Sequence, residues 1–223
     1  MSDNSYMSRA FELAQMSVGY TRPNPPVGAV LVKNDQIIGE GFTQPAGQDH
    51  AEIVAIKSAI SDTRGSDLYV TLEPCNHVGR TPPCTETIIA SGVSRVHIAL
   101  MDPAPHTNGA GVESLKSAGV EVSVVPPSEQ ALQLVEAFAK QINTGIPFVI
   151  AKFAMSLDGK IATHTGESQW ISNELSRAYA HLLRSQCDAI MVGVGTVIKD
   201  NPRLTVRLKE DQSIRSPLRV ILD

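Results

Sequence analysis

The chain has 223 residues, 42% of them apolar and 19% charged, with a net charge of -4. That balance supports a packed core and excludes a disordered chain, and the acidic excess argues against a general nucleic-acid binder, which needs a basic surplus for phosphate. No run reaches the ~18 apolar residues of a membrane span, and Asp3, Arg9 and Glu12 interrupt any apolar leader near the start, so the default compartment is the cytosol.

Tyr6, Met7, Ala10, Phe11, Ala14 and Val18 recur at spacings of three and four, which predicts an amphipathic helix from Ser5 to Val18. Arg22-Pro23-Asn24-Pro25-Pro26 cannot continue it and reads as a loop. Two strands follow, Val27 to Lys33 and Gln36 to Phe42, joined by an Asn34-Asp35 turn. Asp49 then precedes an apolar-periodic run, so it reads as an N-cap with His50 and Glu52 in the first helical turn. Leu68 to Leu72 is a short strand that ends at Glu73-Pro74-Cys75. Cys84 to Ala90 reads as a helix, Arg95 to Leu100 as a strand, Val112 to Ala118 as a helix closed by Gly119, and Val120 to Val125 as a strand. Ser128 caps a longer helix that runs to Gln141.

Strands alternating with helices after an opening hairpin predict an α/β sandwich on a largely parallel sheet. Asn143 to Pro147 breaks the pattern and sets the expected boundary between a domain at 1–145 and a second at 146–223. Past it, Phe148 to Phe153 reads as a strand, Asn173 to Gln186 as a helix, Ala189 to Val192 as a buried strand and Leu218 to Asp223 as a strand. Cys187 is expected as a small core residue beside the buried strand.

The chemistry lies in His50-Ala51-Glu52, Glu73-Pro74-Cys75 and Cys84. In a reducing compartment a close cysteine pair points to metal rather than to a disulfide. Catalytic zinc takes three protein ligands and keeps one position for water, and one imidazole with two thiolates is a suitable set. The pattern His-x-Glu followed by Pro-Cys is that of zinc base deaminases, where the Glu moves protons and is not a ligand. His50, Cys75 and Cys84 are therefore the expected metal ligands, and Glu52 the expected base. A closed structural site would need a fourth ligand, for which His77 is the nearby candidate. The usual signature is Cys-x-x-Cys. Here Asn76 to Pro83 separates the cysteines, an insert expected over the substrate opening with His77 and Arg80 in reach of a ligand.

The long segment from Thr71 to Cys84, with Pro23-Asn24-Pro25-Pro26-Val27-Gly28 and His50-Ala51-Glu52, resembles the bifunctional riboflavin biosynthesis deaminase/reductases. Ser156-Leu157-Asp158-Gly159-Lys160, Gly166 to Ile171 and Asp200 to Arg207 resemble the start of the reductase half of that family. The resemblance implies a cytidine-deaminase-like three-layer α/β/α sandwich, followed by the N-terminal part of a dihydrofolate-reductase-like α/β domain. It implies Zn2+ as cofactor, and deamination of 2,5-diamino-6-ribosylamino-pyrimidinone 5′-phosphate to the uracil. It also implies NADPH-dependent reduction of the ribosyl group in the second half. Carried over, Ala154, Trp170, Thr196 and Asp200 match cofactor positions, and Ser168, Arg184, Leu204 and Arg207 match reductase-substrate positions. Asn24, His77 and Arg80 are the candidates for deaminase-substrate contact. The family implies a homo-oligomer, with neither nucleic acid nor membrane as partner. Its reductase domain continues well past 78 residues of second-half sequence (146–223), so this chain is expected to deaminate and to reduce poorly or not at all. Two competing readings are a deaminase of another nucleotide or of tRNA, against which the acidic charge and 4% aromatic content weigh, and a non-catalytic zinc-stabilised module.

Overall fold

The computed structural model describes residues 3–105, 107–208 and 216–223. The chain divides into two compact units, 1–148 and 149–223. Among the described residues no helix is long and apolar enough to cross a membrane.

The first unit is built on a five-stranded sheet. In chain order it carries α1 (Asp3–Ser17), β1 (Gly28–Lys33), β2 (Gln36–Phe42), α2 (Ala51–Lys57), β3 (Asp67–Val70), α3 (Cys84–Ala90), β4 (Arg95–Ile98), α4 (Ala110–Ser117), β5 (Glu121–Val124) and α5 (Glu129–Thr144). The strand order is β2-β1-β3-β4-β5. β1 is antiparallel to β2 and β3, whereas β3, β4 and β5 run parallel, which is the mixed sheet expected from the pattern. Asn34 and Asp35 both take positive φ in the hairpin turn, a conformation their short polar side chains tolerate.

Because side chains alternate across a strand, the two faces of the sheet serve different helices. Val30, Val32 and Tyr69 pack with Tyr6, Ala10 and Leu13 of α1. Leu31, Leu68, Val70, Val96 and Ile98 join Ala51 and Ala55 of α2, Ile88 of α3 and Leu115 of α4. Ser128 caps α5 by accepting from the Ala131 amide at 3.1 Å, and Gly145 closes that helix with positive φ.

Helix α2 lies directly on β2. A Cβ at Gly39 would stand 2.2 Å from the Ala55 carbonyl oxygen, and one at Gly41 would stand 2.3 Å from that of Ala51. Both glycines are required by this close approach. Gly41→Ala is expected to push the start of α2 off the sheet, at a cost of about 3 kcal/mol or more. Urea unfolding would measure it; an unchanged midpoint would contradict the packing argument.

Asp49 does not cap α2 as its sequence position suggests. His50 holds the N-cap position with extended backbone, and the Asp49 carboxylate pairs with Lys57 Nζ at 2.7 Å. Cap identity is set by local dihedrals, which sequence resolves only to a residue or so.

The second unit contains α6 (Glu174–Ser185), β6 (Ala189–Gly193), α7 (Val194–Asp200) and β7 (Leu218–Leu222). β6 and β7 form a parallel pair. Asn173 caps α6, its Oδ1 accepting from the Ser176 amide at 2.8 Å. Two expectations fail here. Residues 148–153 form no strand, and Phe153 is 72% exposed. β6 is a strand, but none of its residues is buried, so Cys187 does not flank a buried one. A two-stranded ribbon packed by α7 encloses little volume, so apolar periodicity alone does not produce burial. Among the described residues of this unit, Leu204 and Pro217 are buried, and Leu204 takes a φ of 55°.

Candidate metal centre

Three elements deliver the site. His50 precedes α2, Cys75 follows β3, and Cys84 opens α3 behind Pro83. β3 lies inside the sheet, so its end places Cys75 beside the starts of both helices. His50 Nδ1 lies 3.6 Å from Cys75 Sγ and 3.2 Å from Cys84 Sγ. The donor atoms of the three residues all fall within 4.8 Å of one another.

These distances fit one ion. Tetrahedral zinc with Zn–N near 2.05 Å and Zn–S near 2.3 Å separates nitrogen and sulfur by about 3.6 Å. One imidazole and two soft thiolates are a zinc donor set. Among the described residues no fourth donor joins the group. His77, the candidate for closing the site, is exposed and stands outside it.

The electrostatics of the bare donors show what a cation would relieve. Hydrogen bonding from Cys84 pulls the Cys75 thiol down to about 4, against burial and with help from His50. The same hydrogen bond pushes Cys84 up, and burial and the charge of Glu52 push it further. His50 is raised, chiefly by its hydrogen bond with Cys75. The negative charge thus falls on Cys75 while Cys84 stays protonated, and a divalent cation would let both ionise. The Cys84 amide donates to Cys75 Sγ at 3.4 Å, a bond that favours the thiolate.

Glu52 stands in the first turn of α2 and is only 4% exposed. Burial, followed by the nearby charge of Cys75, pushes its carboxyl up to about 7. A carboxyl poised near neutrality beside three metal donors can both take and give a proton.

A cavity of about 110 Å³ opens at the donors, lined by Asn24, Gly47, His50, Cys75, His77, Gly79, Arg80 and Thr81. All three candidates for substrate contact therefore share one pocket with two of the metal donors. Sequence reasoning did not single out Gly47, Gly79 or Thr81, which carry no distinctive chemical signature. The insert between the cysteines is tied at its neck. The Thr85 amide donates to the Cys75 carbonyl at 3.3 Å, and Thr85 Oγ1 donates to Asn76 Oδ1 at 2.8 Å.

In the second unit a cavity of about 370 Å³ is lined by Ser168, Gln169, Arg184, Asp200, Pro202, Arg203, Leu204 and Arg207. It gathers all four reductase-substrate candidates, and Asp200 from the cofactor set. Arg184 Nη1 donates to the Thr205 carbonyl at 2.7 Å, and the Arg207 amide donates to His181 Nδ1 at 3.2 Å. Ala154, Trp170 and Thr196 do not line this cavity. Trp170 is 69% exposed, with the Arg177 guanidinium 4.4 Å from its ring centre.

Comparison with known proteins gives two family matches. Residues 1–100 match the cytidine and deoxycytidylate deaminase zinc-binding region, and residues 147–223 match the RibD C-terminal domain. The chain is 50% identical over 221 residues to the riboflavin biosynthesis protein RibD of Aquifex aeolicus, covering 99% of this chain and 62% of that protein. It is 44% identical to RibD of Escherichia coli, covering all of this chain and 64% of that one. Among solved structures, the diaminohydroxyphosphoribosylaminopyrimidine deaminase/5-amino-6-(5-phosphoribosylamino)uracil reductase of Thermotoga maritima is 49% identical. It superposes with a TM-score of 0.91, over 98% of this chain and 62% of its own. RibD of Acinetobacter baumannii is 43% identical with a TM-score of 0.90. The chain thus spans about three fifths of the length of these relatives.

Proposed function

This chain belongs to the family of bifunctional riboflavin biosynthesis deaminase/reductases, and on that premise we propose that its first unit is a zinc-dependent hydrolytic deaminase of an aminopyrimidine ribosylphosphate. The observation that carries the reading is the convergence of His50, Cys75 and Cys84 at tetrahedral spacing beside a buried Glu52. The proposed substrate is 2,5-diamino-6-ribosylamino-pyrimidinone 5′-phosphate.

Zinc held by His50, Cys75 and Cys84 would supply Lewis acidity, drawing the pKa of water towards ~7. Glu52 accepts a proton from the attacking water. A C–O bond forms at the ring carbon bearing the amine. Glu52 returns the proton to the ring nitrogen, then takes the proton of the newly added hydroxyl and gives it to the departing amine, so that the carbonyl forms as the C–N bond breaks and ammonia leaves. Asn24 and Arg80 line the cavity; in this reading Asn24 reads the ring edge and Arg80 pairs with the phosphate through two hydrogen bonds.

Arg80→Ala is expected to raise KM about 10- to 100-fold with little change in kcat, since a charge-assisted hydrogen bond contributes about 1.5–3 kcal/mol. Steady-state assays on the nucleotide would test this; an unchanged KM would remove Arg80 from the phosphate site. The class itself is tested by ammonia release from the free diaminopyrimidine ribosylphosphate, set against an RNA substrate. Release from RNA alone would overturn the reading.

For the second unit we assign Ser168, Arg184, Leu204 and Arg207 to the ribosylphosphate of a reductase substrate. Three guanidinium-bearing residues, Arg184, Arg203 and Arg207, line the same cavity and suit an anion. Ala154, Trp170, Thr196 and Asp200 are assigned to NADPH. The homo-oligomer rests on the family alone.

A further inference from the structure

Glu73 lies two residues before Cys75, yet it belongs neither to the donor set nor to the pocket. Its side chain is 4% exposed. Oε2 accepts from the amides of Asp102 at 3.1 Å and Gly109 at 3.0 Å. Oε1 accepts from those of Gly111 at 3.0 Å and Val112 at 3.2 Å. These amides belong to the segment after β4 and to the first turn of α4. The N-cap of that helix is Gly109, which has no side chain to offer. A carboxylate borrowed from the far end of β3 therefore does the capping, with charge-assisted bonds to donors the helix leaves unpaired. The main chain is fastened to the same region, since the Glu73 amide donates to the Leu100 carbonyl at 2.8 Å.

The helix start also bears directly on the peptide that leads to Cys75. A Cβ at Gly111 would lie 2.1 Å from the Pro74 carbonyl oxygen. From Cys75 the contacts continue to α3, through the Cys84 amide on its sulfur and the Thr85 amide on its carbonyl. One buried carboxylate thus joins α4, the Pro74–Cys75 segment and, through that segment, α3.

We propose that Glu73 is a positioning residue for the metal site: it clamps the start of α4 to the segment carrying Cys75 and so fixes that sulfur relative to His50 and Cys84. The inference rests on the zinc-deaminase reading for the identity of the metal, and on geometry for the clamp. A group that merely holds the fold together would affect the melting temperature alone. A positioning group also changes how long the metal stays and how fast the enzyme turns over while the fold is intact.

Glu73→Gln preserves the shape but places an NH₂ against two amide donors, so half the clamp loses its acceptor. In the full chain, well below its melting temperature, zinc transfer to a chromophoric chelator should be about tenfold faster or more. Turnover should fall about 10- to 100-fold with KM little changed, the range for outer partners of metal ligands. Glu73→Asp keeps the charge one methylene short and should shift both readouts in the same direction; it decides the matter if Glu73→Gln does not fold. Wild-type zinc release and kcat in the folded variants, whatever their melting temperatures, would overturn the clamp. If the unaltered chain holds zinc but deaminates no aminopyrimidine nucleotide, the functional reading fails and zinc release alone still judges Glu73.

Discussion

Glu52→Gln is expected to keep its zinc and to deaminate about 10²- to 10⁴-fold more slowly, the range for removing a positioned general acid–base. The carboxyl sits in the first turn of α2, buried, and is pushed up to about 7 by that burial and then by the charge of Cys75. Glutamine fills the same space and can still orient water, but it cannot carry a proton. The three metal donors are untouched, so metal content should remain one ion per chain. Metal analysis alongside steady-state kinetics would check both halves. Activity within a few-fold of wild type would remove Glu52 from the reaction and favour a non-catalytic zinc module.

Stripping the metal should act on the fold as well as on the reaction. Cys84 is fully buried and Cys75 half-buried, and without a cation the Cys84 thiol is held protonated beside the Cys75 thiolate. Binding that reaches only the folded state stabilises it by about 4 kcal/mol when free zinc stands a thousandfold above Kd. For a unit of this size that corresponds to a melting shift of roughly 10 °C. A strong chelator should therefore lower the melting temperature by about that amount and abolish deamination, and added zinc should restore both. Cys84→Ala should reproduce the chelated state irreversibly. Calorimetry with and without chelator would settle it; identical melting curves and retained activity would refute the metal centre.

Sequence resolved best the features that depend on near neighbours. The Asn34–Asp35 hairpin and the Ser128 cap follow from side chains that bond or bend their own backbone. The run at 148–153 and the burial of β6 depend on partners elsewhere, which periodicity does not reveal. The grouping of His50, Cys75 and Cys84 was legible because these residue types announce chemistry, even though 25 positions separate His50 from Cys75. Glu73 was not legible as more than the residue before Pro74. Its partners are main-chain amides 29 to 39 positions away, and amides carry no residue label. Gly41 hid for the same reason, since its role is to be absent where the Ala51 carbonyl must pass.

The tie between Thr85 and residues Cys75 and Asn76 has a bearing on how this chain can change. Both ends of the excursion between the cysteines meet at one knot, so the six positions inside it, 77 to 82, form an exchangeable cassette. A shorter or differently charged version could be spliced in while the knot keeps the sulfurs in place. On the proposed function, selectivity would then drift, or be redesigned, on a timescale of its own, without disturbing the residues proposed to carry the reaction.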